Sequence, residues 1–367
     1  MFNILILPGD GIGPEIMQSA IKILSAIEKI HNKKIFNFEY ADIGGIAIDN
    51  YKKPLPDITM ELAKKADAIL LGAVGGYKWD NLAISDRPET GLLGIRKQLD
   101  LFANIRPVKI FPELVNISTL KPEVVENLDI IIIRELTGGL YFGEPKGIEK
   151  RNTEEYAYNT MCYKTSEIER VAKVAFEISQ KRNKKLCSVD KANVLICMKL
   201  WRDTISKLCN NYNNVELTHS YIDAMAMELV KRPKNYDVIV TENMFGDILS
   251  DLTSQLAGSI GVLPSASLGN INQETGRRFA LYEPIHGSAP DIAGKDIANP
   301  IGMIMSAAMM LEYSFGMANE SAIIQNAISS NLRNYRTPDI WQDGFEKVGT
   351  KQIAQRISDG LLSVTTL

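Results

Sequence analysis

The stretch Asp129-Ile-Ile-Ile-Ile-Arg134 decides the class of fold. Four successive isoleucines leave a strand with no polar face, so both of its sides need cover. Sheets with helices packed above and below supply that cover. Asn3–Leu7, Asp67–Leu71 and Tyr236–Val240 read the same way, and Lys185–Val189 is a weaker case. Helical patterns lie between them. Pro14–Ile30 places Ile16, Met17, Ala20, Ile21, Leu24 and Ile27 on one stripe, with proline in its first turn. The expected fold is α/β, a sheet flanked by helices. Arg134 adds a functional clue, because open α/β sheets bind ligands at the carboxyl ends of their strands.

The chain has 367 residues, enough for two domains or one large unit. It shows no repeat, low-complexity tract or linker, so two domains would be interwoven rather than in series. Hydrophobic residues are 45% and charged residues 23%, ordinary globular values. A net charge of −3 gives no basic field for nucleic acid. Cys162, Cys187, Cys197 and Cys209 form no C-x-x-C pair, so a zinc site or disulfide framework is disfavoured. A reducing, cytoplasmic setting is expected. The opening Met-Phe-Asn-Ile-Leu-Ile-Leu-Pro lacks a basic leader, and its apolar run ends too early for a signal peptide. Ile301–Leu311 is too short to span a membrane and reads as a core helix.

Five stretches carry candidate chemistry. Leu7-Pro-Gly-Asp-Gly-Ile-Gly-Pro-Glu15 is glycine-rich but misses the dinucleotide fingerprint, since proline holds position 14. A tight turn is the better reading there. Arg96, Arg106 and Arg134 are guanidiniums suited to gripping carboxylates with paired hydrogen bonds. Leu92 and Arg96 are four apart on a short helix, so one face offers an apolar contact and a clamp. Each arginine taken singly is more often a surface residue. Lys191, between a strand and a helix start, suits a general base or relay, though a solvated loop lysine is the more common case.

In Met244-Phe-Gly-Asp-Ile-Leu-Ser-Asp-Leu-Thr-Ser-Gln-Leu256, Asp247 and Asp251 face each other one helical turn apart. Like charges there repel by about 0.2–0.5 kcal/mol. With Asp223 they form an oxygen-donor set suited to Mg²⁺ or Mn²⁺, or else simple acids near helix starts. Gly138–Asn159 has turn signals and reads as a protruding hairpin or a surface loop. Leu281–Pro300 is a long loop rich in Gly, Ser, Pro and Asp, and such loops are usually functional.

Together these stretches resemble the metal-dependent, decarboxylating 2-hydroxyacid dehydrogenases, the isocitrate/isopropylmalate dehydrogenase family. The likeness runs nearly end to end, through GDGIGPE, TGLLGIRKQLDLFANIRP, RELTGGLYFG, VDKANVL, NMFGDILSDL, LPSASLG and YEPIHGSAPDIAGKDIANP. The resemblance implies a two-domain fold with a non-Rossmann dinucleotide site. Residues 1–103 and 259–367 would form the cofactor domain. Residues 104–258 would form the substrate, metal and dimer domain, with an arm near 143–161. It implies Tyr141 and Lys191 as catalytic residues. Arg96, Arg106 and Arg134 would hold substrate carboxylates, and Asp223, Asp247 and Asp251 a metal. Ile12, Glu283, His286, Gly287, Ser288, Ala289, Asp291, Ile292 and Asn299 would surround NAD. It also implies a homodimer whose sites each borrow Lys191 and Asp223 from the neighbour.

Leu92 and Leu93 stand where isocitrate-using members carry serine and polar residues, which points to the isopropyl group of 3-isopropylmalate. Asp291 and Ile292 stand where NADP-using members carry lysine and tyrosine, which points to NAD. Glu242 and Met244 depart from the family's usual residues, and the charge of Glu242 is expected to influence cofactor affinity. Tartrate, malate and homoisocitrate are the alternative substrates. A non-catalytic regulatory subunit is the alternative class, disfavoured because every catalytic residue type is in place.

Overall fold

The computed structural model describes residues 1–364. Its centre is one sheet of ten strands. The strands in chain order are β1 (Phe2–Gly9), β2 (Phe36–Tyr40), β3 (Ala68–Ala73), β4 (Ala103–Lys109) and β5 (Asp129–Glu135), then, after the β6–β7 hairpin described below, β8 (Lys185–Asp190), β9 (Glu216–Tyr221), β10 (Val238–Thr241), β11 (Pro264–Ile271) and β12 (Arg278–Pro284). Their spatial order is β2-β1-β3-β12-β11-β4-β5-β10-β8-β9. β2, β1, β3 and β12 run parallel, as do β5, β10, β8 and β9. Antiparallel β11 and β4 join these blocks. Strands from both chain ends therefore fill one half of the sheet, and strands from the middle of the chain fill most of the other.

Among the described residues twelve α-helices accompany the sheet: α1 (Gly13–Ile30), α2 (Gly45–Tyr51), α3 (Asp57–Lys65), α4 (Pro88–Gln98), α5 (Pro122–Val125), α6 (Thr165–Lys181), α7 (Ile196–Cys209), α8 (Ile222–Lys231), α9 (Asn243–Ser254), α10 (Ile301–Tyr313), α11 (Ala318–Leu332) and α12 (Thr350–Val364). The isoleucine run behaves as its composition requires. Ile130, Ile132 and Ile133 are wholly inaccessible in β5, with α6 and α9 packed against that strand. α10 is buried nearly all round, as its unbroken apolar sequence demands, and lies on β11 and β12. None of the described helices is long and apolar enough to cross a membrane.

The five strands read from apolar runs all form, within two residues of their expected starts. β4 and β11 escape that reading because they carry Asn104, Arg106, Ser265 and Ser267 into the centre of the sheet. Asn104 Nδ2 donates to Ser267 Oγ at 3.1 Å, which satisfies both groups in the dry interior. The segment around 138–159 contains a two-stranded hairpin, β6 (Gly147–Arg151) and β7 (Glu154–Tyr158), exposed along almost its whole length.

Candidate active site

The glycine-rich turn after β1 is a structural knot. Gly9 and Gly11 have φ of +69° and +57°, a region that favours glycine. Asp10 between them is buried and uncompensated by any cation. Its carboxylate instead accepts backbone N–H groups from Gly45 (2.7 Å), Ile46 (2.8 Å) and Gly75 (2.9 Å). Burial pushes the Asp10 carboxyl up despite these bonds. The turn thus ties three loops together at one edge of the sheet, and its acid would repel a phosphate. It also docks the long loop, because Ile12 N donates to Ser288 O at 2.8 Å. A Cβ on Gly11 would collide with that same Ser288 carbonyl. Gly11→Ala is therefore expected to cost at least about 2 kcal/mol through strain and displaced backbone. Thermal unfolding of the variant checks this.

The three arginines converge. Arg134 leaves the end of β5, Arg106 leaves β4 and Arg96 leaves α4, and all three are buried. Arg134 Nε donates to Asn243 Oδ1 at 2.9 Å, and its NH1 ion-pairs with Asp247. Arg106 donates to Asn104 Oδ1 (2.6 Å), Ser250 Oγ (2.5 Å) and Asp247 Oδ1 (3.3 Å). Arg96 pairs with Glu283 at 2.5 Å. Asn104, Ser250 and Asn243 thus act as holders that no motif announced. Burial and the neighbouring Arg134 push Arg106 down to about 10, so it stays charged at neutral pH.

Asp247 sits at the focus. Burial alone would raise its carboxyl. Arg134 and Arg106 outweigh burial, and it lies below the usual carboxylate range. Its Oδ2 accepts the Tyr141 hydroxyl at 3.2 Å. Burial and Asp247 both push the Tyr141 phenol up, so it keeps its proton. Asp251, one turn along α9, has a side chain 65% exposed and lies 3.9 Å from Arg106. Burial and the charge of Asp247 push its carboxyl up.

Arg96, Arg106, Arg134, Tyr141 and Asp247 line a cavity of about 470 Å³ together with Leu92, Leu93, Val74, Glu89, Ser265 and Glu283, and Asp251 lies outside that lining. A second cavity of about 360 Å³ shares the His286–Gly287 wall. Ile12, Ala289, Ile292 and Asn299 line it, with Ser259, Gly261, Ile297 and Asp339, which sequence reasoning missed. Ser259 and Gly261 share one turn and Asp339 lies in a loop far along the chain, without a motif, whereas Ile297 lies within the long loop itself. His286 is neutral at pH 7, since burial lowers its pKa, and its Nε2 is buried without a hydrogen-bond partner. Ser288 is buried as the docking point for Ile12. Asp291 is exposed and accepts the Tyr77 hydroxyl at 3.0 Å.

Lys191 and Asp223 lie apart from both cavities. Lys191 follows β8, Asp223 sits in the first turn of α8, and the two pair at 2.6 Å. Lys191 therefore holds the Asp223 carboxyl below its usual range. Among the described residues no group of three or more His, Cys, Asp or Glu is disposed to hold a metal. One chain brings Asp247 and Asp251 together and leaves Asp223 elsewhere. Nearby apolar side chains are unusually open: Ile196 is 91% exposed, and Val194 and Met227 are each 67% exposed.

Three buried guanidiniums, a protonated tyrosine and an ionised aspartate around one cavity define a site for a small carboxylic acid, set beside a more apolar pocket. Comparison with known proteins gives this class its family. The isocitrate/isopropylmalate dehydrogenase family model matches residues 3–357. The 3-isopropylmalate dehydrogenase of Aquifex aeolicus is 54% identical over 363 residues, covering 98% of this chain and 97% of that one. The 3-isopropylmalate dehydrogenase of Xanthomonas euvesicatoria is 55% identical over 350 residues, covering 95% and 96%. Among solved structures, an isocitrate dehydrogenase from Methylococcus capsulatus superposes with a TM-score of 0.84 at 31% identity, covering 99% and 100%. The chain belongs to the isocitrate/isopropylmalate dehydrogenase family.

Proposed function

We propose that the chain catalyses the NAD-dependent oxidative decarboxylation of (2R,3S)-3-isopropylmalate to 2-oxo-4-methylpentanoate and CO₂, a step of leucine biosynthesis. The observation that carries this is the 470 Å³ cavity, where Leu92 and Leu93 face the same space as Arg96, Arg106 and Arg134. A dicarboxylate with one branched apolar substituent matches that lining. A third carboxylate in place of the isopropyl group would meet leucine, at a desolvation cost of several kcal/mol. The names of the most similar relatives agree in substrate.

The donor set suits a hard divalent cation, Mg²⁺ or Mn²⁺: oxygen ligands on adjacent turns of α9, one of them exposed and raised by its neighbour's charge. Asp247 and Asp251 would hold it with Asp223 of a second copy. When bound, the cation would supply Lewis acidity toward the substrate's 2-oxygen and NAD⁺ would supply a hydride acceptor. The arginines fix the two carboxylates and so orient the C2–H bond. Lys191 of the second copy takes the hydroxyl proton. Tyr141, whose proton is firmly held, returns one to the carbon left by departing CO₂.

The second cavity suits an adenosine moiety, with Asp291 accepting ribose hydroxyls and repelling a 2′-phosphate. Glu283 lines the first cavity, where it holds Arg96. Residues 1–103 with 259–367, and residues 104–258, would be the two domains, a division that follows the strand order. The exposed apolar residues on α7 and α8 and the β6–β7 hairpin support a homodimer that buries them.

Purified protein is expected to reduce NAD⁺ with 3-isopropylmalate far faster than with isocitrate, tartrate or malate. The rate should vanish in EDTA and fall sharply with NADP⁺. A faster rate with another acid would remove the role given to Leu92 and Leu93. No turnover with any acid would leave the regulatory-subunit reading.

A further inference from the structure

Glu242 is an acid that the chemistry above does not use, and its side chain is wholly buried. It precedes α9 and accepts Phe245 N on Oε1 at 2.5 Å, capping the helix that carries Asp247. Its other oxygen, Oε2, accepts the Tyr163 hydroxyl at 3.2 Å. That hydroxyl in turn accepts Asn243 N at 3.0 Å. The Asn243 side chain then divides its bonds between two elements. Its Oδ1 accepts from Arg134 Nε, and its Nδ2 donates to Gly138 O at 3.1 Å.

Gly138 and Gly139 lead into the turn Gly139–Tyr141, which presents the Tyr141 phenol. Gly139 has φ of +72° and lies directly over the acid. A Cβ there would meet the Tyr163 hydroxyl and would come within 3.1 Å of Glu242 Oε2. One carboxylate therefore bonds the start of α9 and lies beneath the start of the Tyr141 turn. The Tyr141–Asp247 hydrogen bond spans the same two parts on the cavity side. Sliding one part against the other by about 1 Å would break that bond, and such misplacement costs roughly 10²-fold in rate.

We propose that Glu242 is a positioning residue, which holds the Tyr141 turn and the Asp247 helix in one register through Tyr163 and Asn243. The proposal rests on the roles given above to Tyr141 and Asp247. A small residue at 242 could not accept from a backbone amide and a hydroxyl together. The acid therefore serves the substrate side of the site, and no contact joins it to the adenosine cavity.

The test uses Glu242→Gln and Tyr163→Phe in the full-length protein. Hydrogen exchange of backbone amides is followed in two segments, 138–142 and 243–247. Both segments are expected to exchange at least about 10-fold faster, and together, in either variant. kcat with 3-isopropylmalate should fall at least about 10-fold, with KM for NAD⁺ unchanged. Loosening of 243–247 alone, with kcat retained, would mean a plain helix cap and overturn the proposal. Should Glu242→Gln fail to fold, Tyr163→Phe still decides, because it removes the hydroxyl packed between Gly139 and Glu242 and leaves the cap. Failure of the wild-type protein to turn over 3-isopropylmalate would sink the functional reading alone, and the coupled exchange would still test the register.

Discussion

Lys191→Met and Asp247→Asn proteins, each inactive as a pure preparation, are expected to recover about a quarter of wild-type activity when the two chains are co-expressed. The expectation follows from geometry. Lys191 and Asp223 pair with each other outside the cavity that Asp247 and Tyr141 line. A chain acting alone therefore keeps Lys191 away from the cavity that the arginines line. A second copy that covers the open apolar residues Val194, Ile196 and Met227 would bring its own Lys191 and Asp223 to the cavity. In a hybrid dimer one site then holds both wild-type residues and the other holds both replacements. Random pairing makes half of the dimers hybrid, each with half its sites alive. Loss of the general base alone should lower kcat by about 10²–10⁴-fold, so the recovered signal stands far above the parents. Self-contained sites would give no recovery at any mixing ratio, and that result would remove both the shared site and the role of Lys191. Activity of separately purified and co-expressed chains, measured at equal total protein, reads the outcome.

How much of this was legible in the sequence depends on how local the signal is. The strand Asp129–Glu135 announces itself, because four isoleucines can only be buried on both faces. The helix Gly13–Ile30 does so through its stripe and its early proline. β4 was opaque for the opposite reason. Arg106 in a strand centre looks like a surface residue until Asn104, Ser250 and Asp247 are placed around it by distant parts of the chain. The same holds for Asp339, which reaches the second cavity from a loop near the carboxyl end of the chain. Glu242 was visible as an oddity, and its charge suggested an effect on cofactor. The structure puts it beneath the Tyr141 turn instead, since the nearest unsatisfied donors are the first amides of α9. The glycine-rich turn shows the converse. Its local signal was read correctly as a tight turn, yet nothing local shows that Asp10 ties it to Gly45 and Gly75.

Asp247→Asn and Asp251→Asn should both abolish activation by Mg²⁺ and yet move stability in opposite directions. Both carboxylates supply oxygen to the cation in the proposed site, so each amide removes one charge from its ligand set. Their surroundings differ. Asp247 is the counter-ion of Arg134 and Arg106, and both of those guanidiniums are buried. Removing its charge leaves buried Arg134 with neutral partners only and Arg106 with no carboxylate nearer than Asp251 at 3.9 Å, a cost of about 3 kcal/mol, the low end for broken buried pairs because Asp247 keeps a third of its surface. Asp251 has the reverse character: burial and Asp247 disfavour its charge. Neutralising it relieves that repulsion, so Asp251→Asn should unfold at the same temperature as wild type or slightly above. The pH dependence separates the two as well. Asp247 lies below its unfolded value, so its contribution is present above that value and is lost as pH falls through the lower folded one. Asp251 lies above its unfolded value, so its ionisation costs stability at neutral pH and acid relieves the cost. Wild type should therefore lose stability on acidification faster than Asp247→Asn does. Thermal melts at pH 7 and at about pH 2.5, below the unfolded carboxylate value, read the stability part, and rates without cation and with excess Mg²⁺ read the activation. Equal destabilisation by the two substitutions would mean that the arginines do not depend on Asp247, and retained Mg²⁺ activation in either would mean that the cation binds elsewhere.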